Sequence, residues 1–98
     1  MKLISIVFSF KNEEKNFPEL ISRITKTLSE IKNWNYELIF VNDCSTDSSE
    51  EILIKFQRDY PITIINMSRN FGVGPCVVAG FKQSKGDATI YMDSDLQD

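Results

Sequence analysis

Histidine is absent from the 98 residues, which removes imidazole acid–base chemistry, His-ligated zinc and His-ligated haem from this segment. Cysteine is nearly absent: Cys44 and Cys76 lie far apart and match no metal-binding spacing. They read as two reduced thiols of a cytoplasmic protein rather than as a disulfide framework. Basic residues form no cluster and the net charge is −3, so a nucleic-acid backbone is not an expected partner. No apolar run approaches the roughly 20 residues that a membrane helix needs. The amino-terminal stretch Lys2-Leu3-Ile4-Ser5-Ile6-Val7-Phe8 is too short for a signal-peptide core. Glycine is sparse, and the turn after the first apolar run, Lys11-Asn12-Glu13-Glu14, holds none. That excludes the glycine-rich dinucleotide turn, and no phosphate loop with Gly-Lys-Ser/Thr exists either.

What is present is an apolar fraction of 42%, enough for a packed core in one small domain or part of a larger one. Apolar periodicity alternates between two kinds. Leu3 to Phe8, Tyr36 to Val41, Ile62 to Met67 and Ala88 to Met92 are nearly continuous runs of the buried-strand type. Between them, Phe17, Leu20, Ile21, Ile24, Leu28 and Ile31 recur at helical spacing, predicting a helix over about 17–32 behind Asn16. A second helix starts at Asp47 or Ser48, with Ser48 and Glu51 at capping-box spacing and Ile52, Leu53 and Phe56 facing inward. Pro61 is expected to break it. A third helix is expected over about 74–85, with Val77, Val78 and Phe81 inward and Gly86 as the glycine after its end. The alternation implies an α/β fold, a Rossmann-like parallel sheet with helices on both faces and right-handed connections.

In such a sheet every strand-to-helix loop falls on one edge, which gathers polar residues distant in sequence. Asp43 follows the second strand, and Asp93-Ser94-Asp95 follows the fourth. Two carboxylates at i and i+2 at a strand end offer hard oxygen ligands to Mg²⁺ or Mn²⁺. An acidic edge suits a phosphorylated ligand only through such a cation, which reverses the local sign of charge. Ser45, Thr46 and Ser48 read as ordinary helix-capping and turn residues.

Four segments together carry a resemblance. Asn12-Glu13-Glu14, Val41-Asn42-Asp43-Cys44-Ser45-Thr46-Asp47, Ser68-Arg69-Asn70-Phe71-Gly72 and Asp93-Ser94-Asp95-Leu96-Gln97-Asp98 resemble the family 2 glycosyltransferases of GT-A fold. The similarity is greatest to the branch that transfers hexose to a polyprenyl phosphate, of dolichyl-phosphate mannosyltransferase and bactoprenol glucosyltransferase type. The resemblance implies strand order 3-2-1-4 and a DXD motif. Asp93 and Asp95 would ligate the cation that bridges the donor diphosphate, with Gln97 completing the metal shell. Asp43 would contact the base or ribose, and Glu13 would lie near the nucleoside. Arg69 and Asn70 would shape the site floor, or else form an ordinary polar turn.

The chain departs from the family where Ser9 replaces a proline, Lys11 an aromatic, Asn42 an aspartate and Cys44 a glycine. The last exchange suggests that the backbone at Cys44 need not be left-handed, and the side chain reads as small and packed rather than nucleophilic. Cys76 reads as core.

The implied function is the donor-binding part of a metal-dependent, inverting transferase. It would use a UDP- or GDP-hexose and a lipid-phosphate acceptor, or alternatively a saccharide hydroxyl, at the cytoplasmic face of a membrane. Residues 1–98 are expected to stop after the metal-binding motif, so that they alone transfer no sugar. Self-association through the edge of the strand at 88–92 is also expected. A nucleotidyltransferase fits less well, because its first loop is rich in glycine and basic residues. A response-regulator receiver would need a phosphoacceptor Asp after the third strand, where Met67-Ser68-Arg69 stands. A folded binding module with no turnover is the remaining alternative.

Overall fold

The computed structural model describes residues 2–12, 15–69 and 71–93. Four parallel strands, β1 (Lys2–Phe10), β2 (Trp34–Asn42), β3 (Ile62–Asn66) and β4 (Ala88–Asp93), pair in the order β3-β2-β1-β4. Between them run α1 (Phe17–Ser29), α2 (Ser49–Phe56) and α3 (Val73–Gln83). The expected fold class and strand order are both observed. β1 and β2 are the interior strands, and Ile6, Val7, Phe8, Leu38, Ile39, Phe40 and Val41 are all buried. This is why their apolar runs are continuous rather than alternating: helices cover both faces. The connections through α1 and α2 step one way across the sheet, whereas the one through α3 returns past β2 and β1. With right-handed crossovers, α3 must then lie on the opposite face.

The larger core sits under α1 and α2. Phe8 and Phe40, register partners on β1 and β2, stack with centroids 4.7 Å apart. Phe17 meets Phe10 edge-on at 4.9 Å and Phe40 at 5.5 Å. Each such pair adds about 0.5–1.5 kcal/mol beyond its buried area, which fixes the start of α1 against the carboxyl half of the sheet. α1 is shorter than its periodicity suggests. It ends at Ser29, the Glu30 amide donates to Thr27, and Asn33 at φ 67° turns the chain into β2. Ile31 therefore falls outside the helix and is exposed. α2 is capped by Asp47, whose Oδ1 accepts from the Ser49 amide at 3.0 Å and from the Ser49 hydroxyl. The Ser48–Glu51 capping box does not form, since Ser48 makes no side-chain cap bond. The helix ends at Phe56, five residues before Pro61, so the proline is not its stop; the Pro61 carbonyl instead receives the Leu38 amide.

α3 differs most from expectation. Val78 and Phe81 are exposed, and Val77 is half-buried. The inward face is Cys76, Ala79 and Gly80, packed on Val7, Ile39 and Val41. Small residues let the helix sit close to the sheet: a Cβ on Gly80 would overlap the Val7 side chain and lie 3.3 Å from Val41 Cγ2. Gly86 is not a left-handed cap either. The helix ends in an extended Ser84, and Gly86 lies against Ser5, donating its N–H to Ser5 Oγ at 2.8 Å. Ser5 in turn donates to Glu37, which also accepts the Lys85 amide at 2.7 Å. That network anchors the approach to β4 at the amino-terminal edge of the sheet, away from the strand-end loops.

Candidate functional site

At the carboxyl edge, Phe10, Asn42 and Asn66 end β1, β2 and β3 in one register row, while Asp93 ends β4 opposite Ser9. The loops above this row are tied by side-chain-to-backbone bonds. Asn42 Oδ1 accepts the Ser45 amide at 2.8 Å, and its Nδ2 donates to Asn66 Oδ1 at 3.0 Å. Asn12, left-handed at φ 58°, turns its Oδ1 to the Thr46 amide at 2.8 Å and the Asp47 amide at 3.3 Å. The Asn12 amide donates to Ser45 Oγ at 3.0 Å. Asparagine tolerates that backbone and carries a local acceptor, so one residue fastens the β1–α1 loop to the β2–α2 loop. Ser45 and Thr46 thus serve as links between loops rather than helix caps.

Cys44 corrects an expectation. Its φ is 63°, the left-handed conformation, and its side chain is exposed rather than packed. The turn imposes that backbone whatever residue occupies it, because Asn42 and Asp43 on one side and Ser45 on the other are already bonded. Cys76 is buried, as expected.

Asp43 is the best-determined member of the site. It is 7% exposed, and its carboxylate accepts two backbone amides, Phe71 at 2.7 Å through Oδ1 and Gly72 at 3.0 Å through Oδ2. Gly72 precedes α3 with φ 90°, a backbone that glycine adopts at no steric cost. The negative carboxylate thereby sits at the positive end of the helix. Burial first, and then the charge of Asp43 and a hydrogen bond to it, push the Cys76 thiol up to about 11. With the Cys76 thiol as a third donor beside the two amides, the Asp43 carboxylate keeps about one further acceptor position. On the same loop the Arg69 guanidinium lies 4.8 Å from the centre of the Phe71 ring, and both side chains are exposed.

Of the residues singled out from sequence, Asp43 and Arg69 come together on adjoining loops, and the backbone of Asp93 ends the strand beside β1. Asp93 lies in the register row of Ser9 and Val41, and Asp43 stands two strands across and two residues further along, about 12 Å away at the backbone. Glu13, Asn70, Asp95 and Gln97 lie outside the described residues. The donor set proposed for a metal is all oxygen, two carboxylates and an amide carbonyl, which fits Mg²⁺ or Mn²⁺ and not a thiolate-seeking ion. Sequence reasoning missed Asn12, Asn66 and Phe71. A groove of about 370 Å³ lined by Ser22, Thr25, Lys26, Ser29, Tyr36 and Tyr60 involves none of these residues.

Residues 5–98 match the family described as Glycosyl transferase family 2. The undecaprenyl-phosphate 4-deoxy-4-formamido-L-arabinose transferase of Pseudomonas fluorescens is 35% identical over 99 residues, which cover 99% of this chain and 29% of that protein. The chain therefore spans under a third of the length of that curated relative. Among solved structures, S. aureus TarS 1-349 in complex with UDP-GlcNAc superposes with a TM-score of 0.82 at 27% identity, over 97% of this chain and 27% of that one. The mannosyltransferase PcManGT of Pyrobaculum calidifontis, in complex with GDP-Man and Mn²⁺, gives 0.81 at 15% identity over 94% of this chain and 27% of that one, a likeness of fold.

Proposed function

The chain belongs to glycosyl transferase family 2, and from that premise we propose that its 98 residues are the donor-binding part of a metal-dependent, inverting glycosyltransferase. The donor would be a UDP- or GDP-hexose and the acceptor a polyprenyl phosphate, at the cytoplasmic face of a membrane. One observation carries this reading. The loops after β1, β2 and β3 are bonded into a single polar edge, and the strand bearing Asp93 ends at that edge beside β1. Support also comes from a relative named for transfer to undecaprenyl phosphate and from neighbours solved with UDP-GlcNAc and with GDP-Man and Mn²⁺.

Within this reading Asp93, Asp95 and Gln97 would hold the cation, and Asp93 would also serve binding of the donor. Asp43 would use its remaining acceptor position on the base or ribose, and Glu13 would lie near the nucleoside. Arg69 and Asn70 form the floor. A divalent cation supplies positive charge against the departing nucleoside diphosphate. A phosphate acceptor is already anionic and needs less help from a general base. Among the described residues no helix is long and apolar enough to cross a membrane. The outer edge of β4 is unpaired among the described residues, and Ile90 and Met92 are exposed, which supports self-association of this chain through that strand.

Calorimetry with UDP and GDP tests the reading. Either nucleotide should bind more tightly with Mn²⁺ or Mg²⁺ than with EDTA, and Asp95→Asn should reduce that difference. Equal binding with and without metal would overturn it.

A further inference from the structure

Phe71 is the sole aromatic in the strand-end segments 11–16, 43–48, 67–72 and 94–98. Four other phenylalanines, Phe8, Phe10, Phe17 and Phe40, are buried in the main core, whereas Phe71 is 37% exposed. An exposure of 37% forgoes part of the about 1.5–3 kcal/mol that full burial of such a ring contributes. Nor is the ring on a loose segment. Its own amide is bonded to Asp43 at 2.7 Å, and the next amide to the other Asp43 oxygen at 3.0 Å. Arg69 stacks over the ring at 4.8 Å, which orients the ring and adds positive charge beside it.

We propose that the Phe71 ring, oriented by Arg69 and held through its backbone by Asp43, is the surface on which the planar base of a nucleoside diphosphate stacks. The inference rests on the donor-binding reading above and deepens it. A base that reaches the remaining acceptor position of Asp43 lies beside the residue that carries this ring, since Asp43 holds the Phe71 amide itself. No other aromatic of the strand-end segments can serve, since the first loop offers Lys11 and the second Cys44. Stacking tolerates any base because each presents a π-face. The platform therefore contributes affinity, while hydrogen bonds to Asp43 contribute orientation.

The test titrates UDP, GDP and inorganic pyrophosphate, each with Mn²⁺, into the wild-type chain and into Phe71→Leu and Phe71→Tyr. Phe71→Leu should weaken UDP and GDP by about tenfold or more, the scale of one lost base stack. Phe71→Tyr should bind within about twofold of wild type, because the ring face is kept. Pyrophosphate, which has no base, should bind all three proteins alike, and nuclear Overhauser contacts should join the base protons to the Phe71 ring in the wild type. Matching thermal midpoints establish that the variants fold. Unchanged UDP and GDP affinity in Phe71→Leu would overturn the platform, as would an equal loss for pyrophosphate. Wild type that binds pyrophosphate as tightly as the nucleotides defeats the platform alone, whereas wild type that binds none of the three defeats the donor-binding reading and the platform with it.

Discussion

Replacing Asp43 by alanine removes the acceptor of two amides at once and should cost about 2–3 kcal/mol of folding stability. A helix cap lost from an exposed end costs about 1 kcal/mol. Asp43 is 7% exposed, and it holds Phe71 at 2.7 Å and Gly72 at 3.0 Å, one amide per oxygen. Hydrogen bonds to a charged group are worth about 1.5–3 kcal/mol each, and water recovers part of that at a half-open loop. The sum therefore exceeds a simple cap and falls short of two full charge-assisted bonds. Asp43→Asn keeps one carbonyl acceptor and turns an NH₂ toward the other amide, so its loss should be about half as large. Urea unfolding followed by circular dichroism measures both, and an unchanged m-value keeps the comparison valid. Amide exchange gives the local readout. Phe71 and Gly72 should exchange at least about tenfold faster in Asp43→Ala than global destabilisation alone explains. A loss under about 0.5 kcal/mol, with both amides still protected, would refute the claim that this carboxylate fixes the loop.

Gly80→Ala should lose about 1–3 kcal/mol by overpacking against Val7, even though alanine gains about 1 kcal/mol in helix propensity; a higher denaturation midpoint would contradict this. Cys76 has a folded-state pKa raised from 9.0 to about 11, so its contribution is complete below pH 9 and is lost as the pH rises through 11. The fall should be about 3 kcal/mol, and Cys76→Ala should flatten it, whereas identical slopes in the two proteins would dismiss the thiol as the cause. Size exclusion with light scattering should find a dimer or larger assembly that Ile90→Lys returns to monomer, because a lysine on an edge strand blocks pairing. A monomer at high concentration would remove the β4 proposal.

The alternation of strands and helices was legible because β1 and β2 are buried on both faces and so carry unbroken apolar runs. Their order came from the resemblance, since periodicity says nothing about which strand lies next to which. The inward face of α3 was misjudged for a definite reason. Apolar periodicity weighs Val78 and Phe81 heavily, while the helix is held by what Cys76, Ala79 and Gly80 lack, side chains that would keep it off Val7 and Val41. Asp43 was identifiable as a carboxylate at a strand end, but its partners are backbone amides 28 and 29 positions away, and an amide leaves no mark in a sequence. Asn12 was hidden likewise: its acceptor meets Thr46 only after β1 and β2 pair. At Cys44 the side chain carries no signal for positive φ, and the turn around it dictates the conformation.

The same partners that conceal Asp43 explain how a buried carboxylate is tolerated at this edge. Two unit charges about 12 Å apart, the backbone separation of Asp43 and Asp93, would repel by about 0.3 kcal/mol in water and about 1.4 kcal/mol at an effective dielectric constant of 20. That is small beside what the Phe71 and Gly72 amides return to Asp43, whose charge rests on the start of α3. Spacing by one intervening strand, β1, keeps Asp43 at that distance from the backbone of Asp93. Within the proposed reading the edge would divide its acidic residues by role: Asp43 is stabilised by the start of α3, and Asp93 and Asp95 would be left for a divalent ion to neutralise.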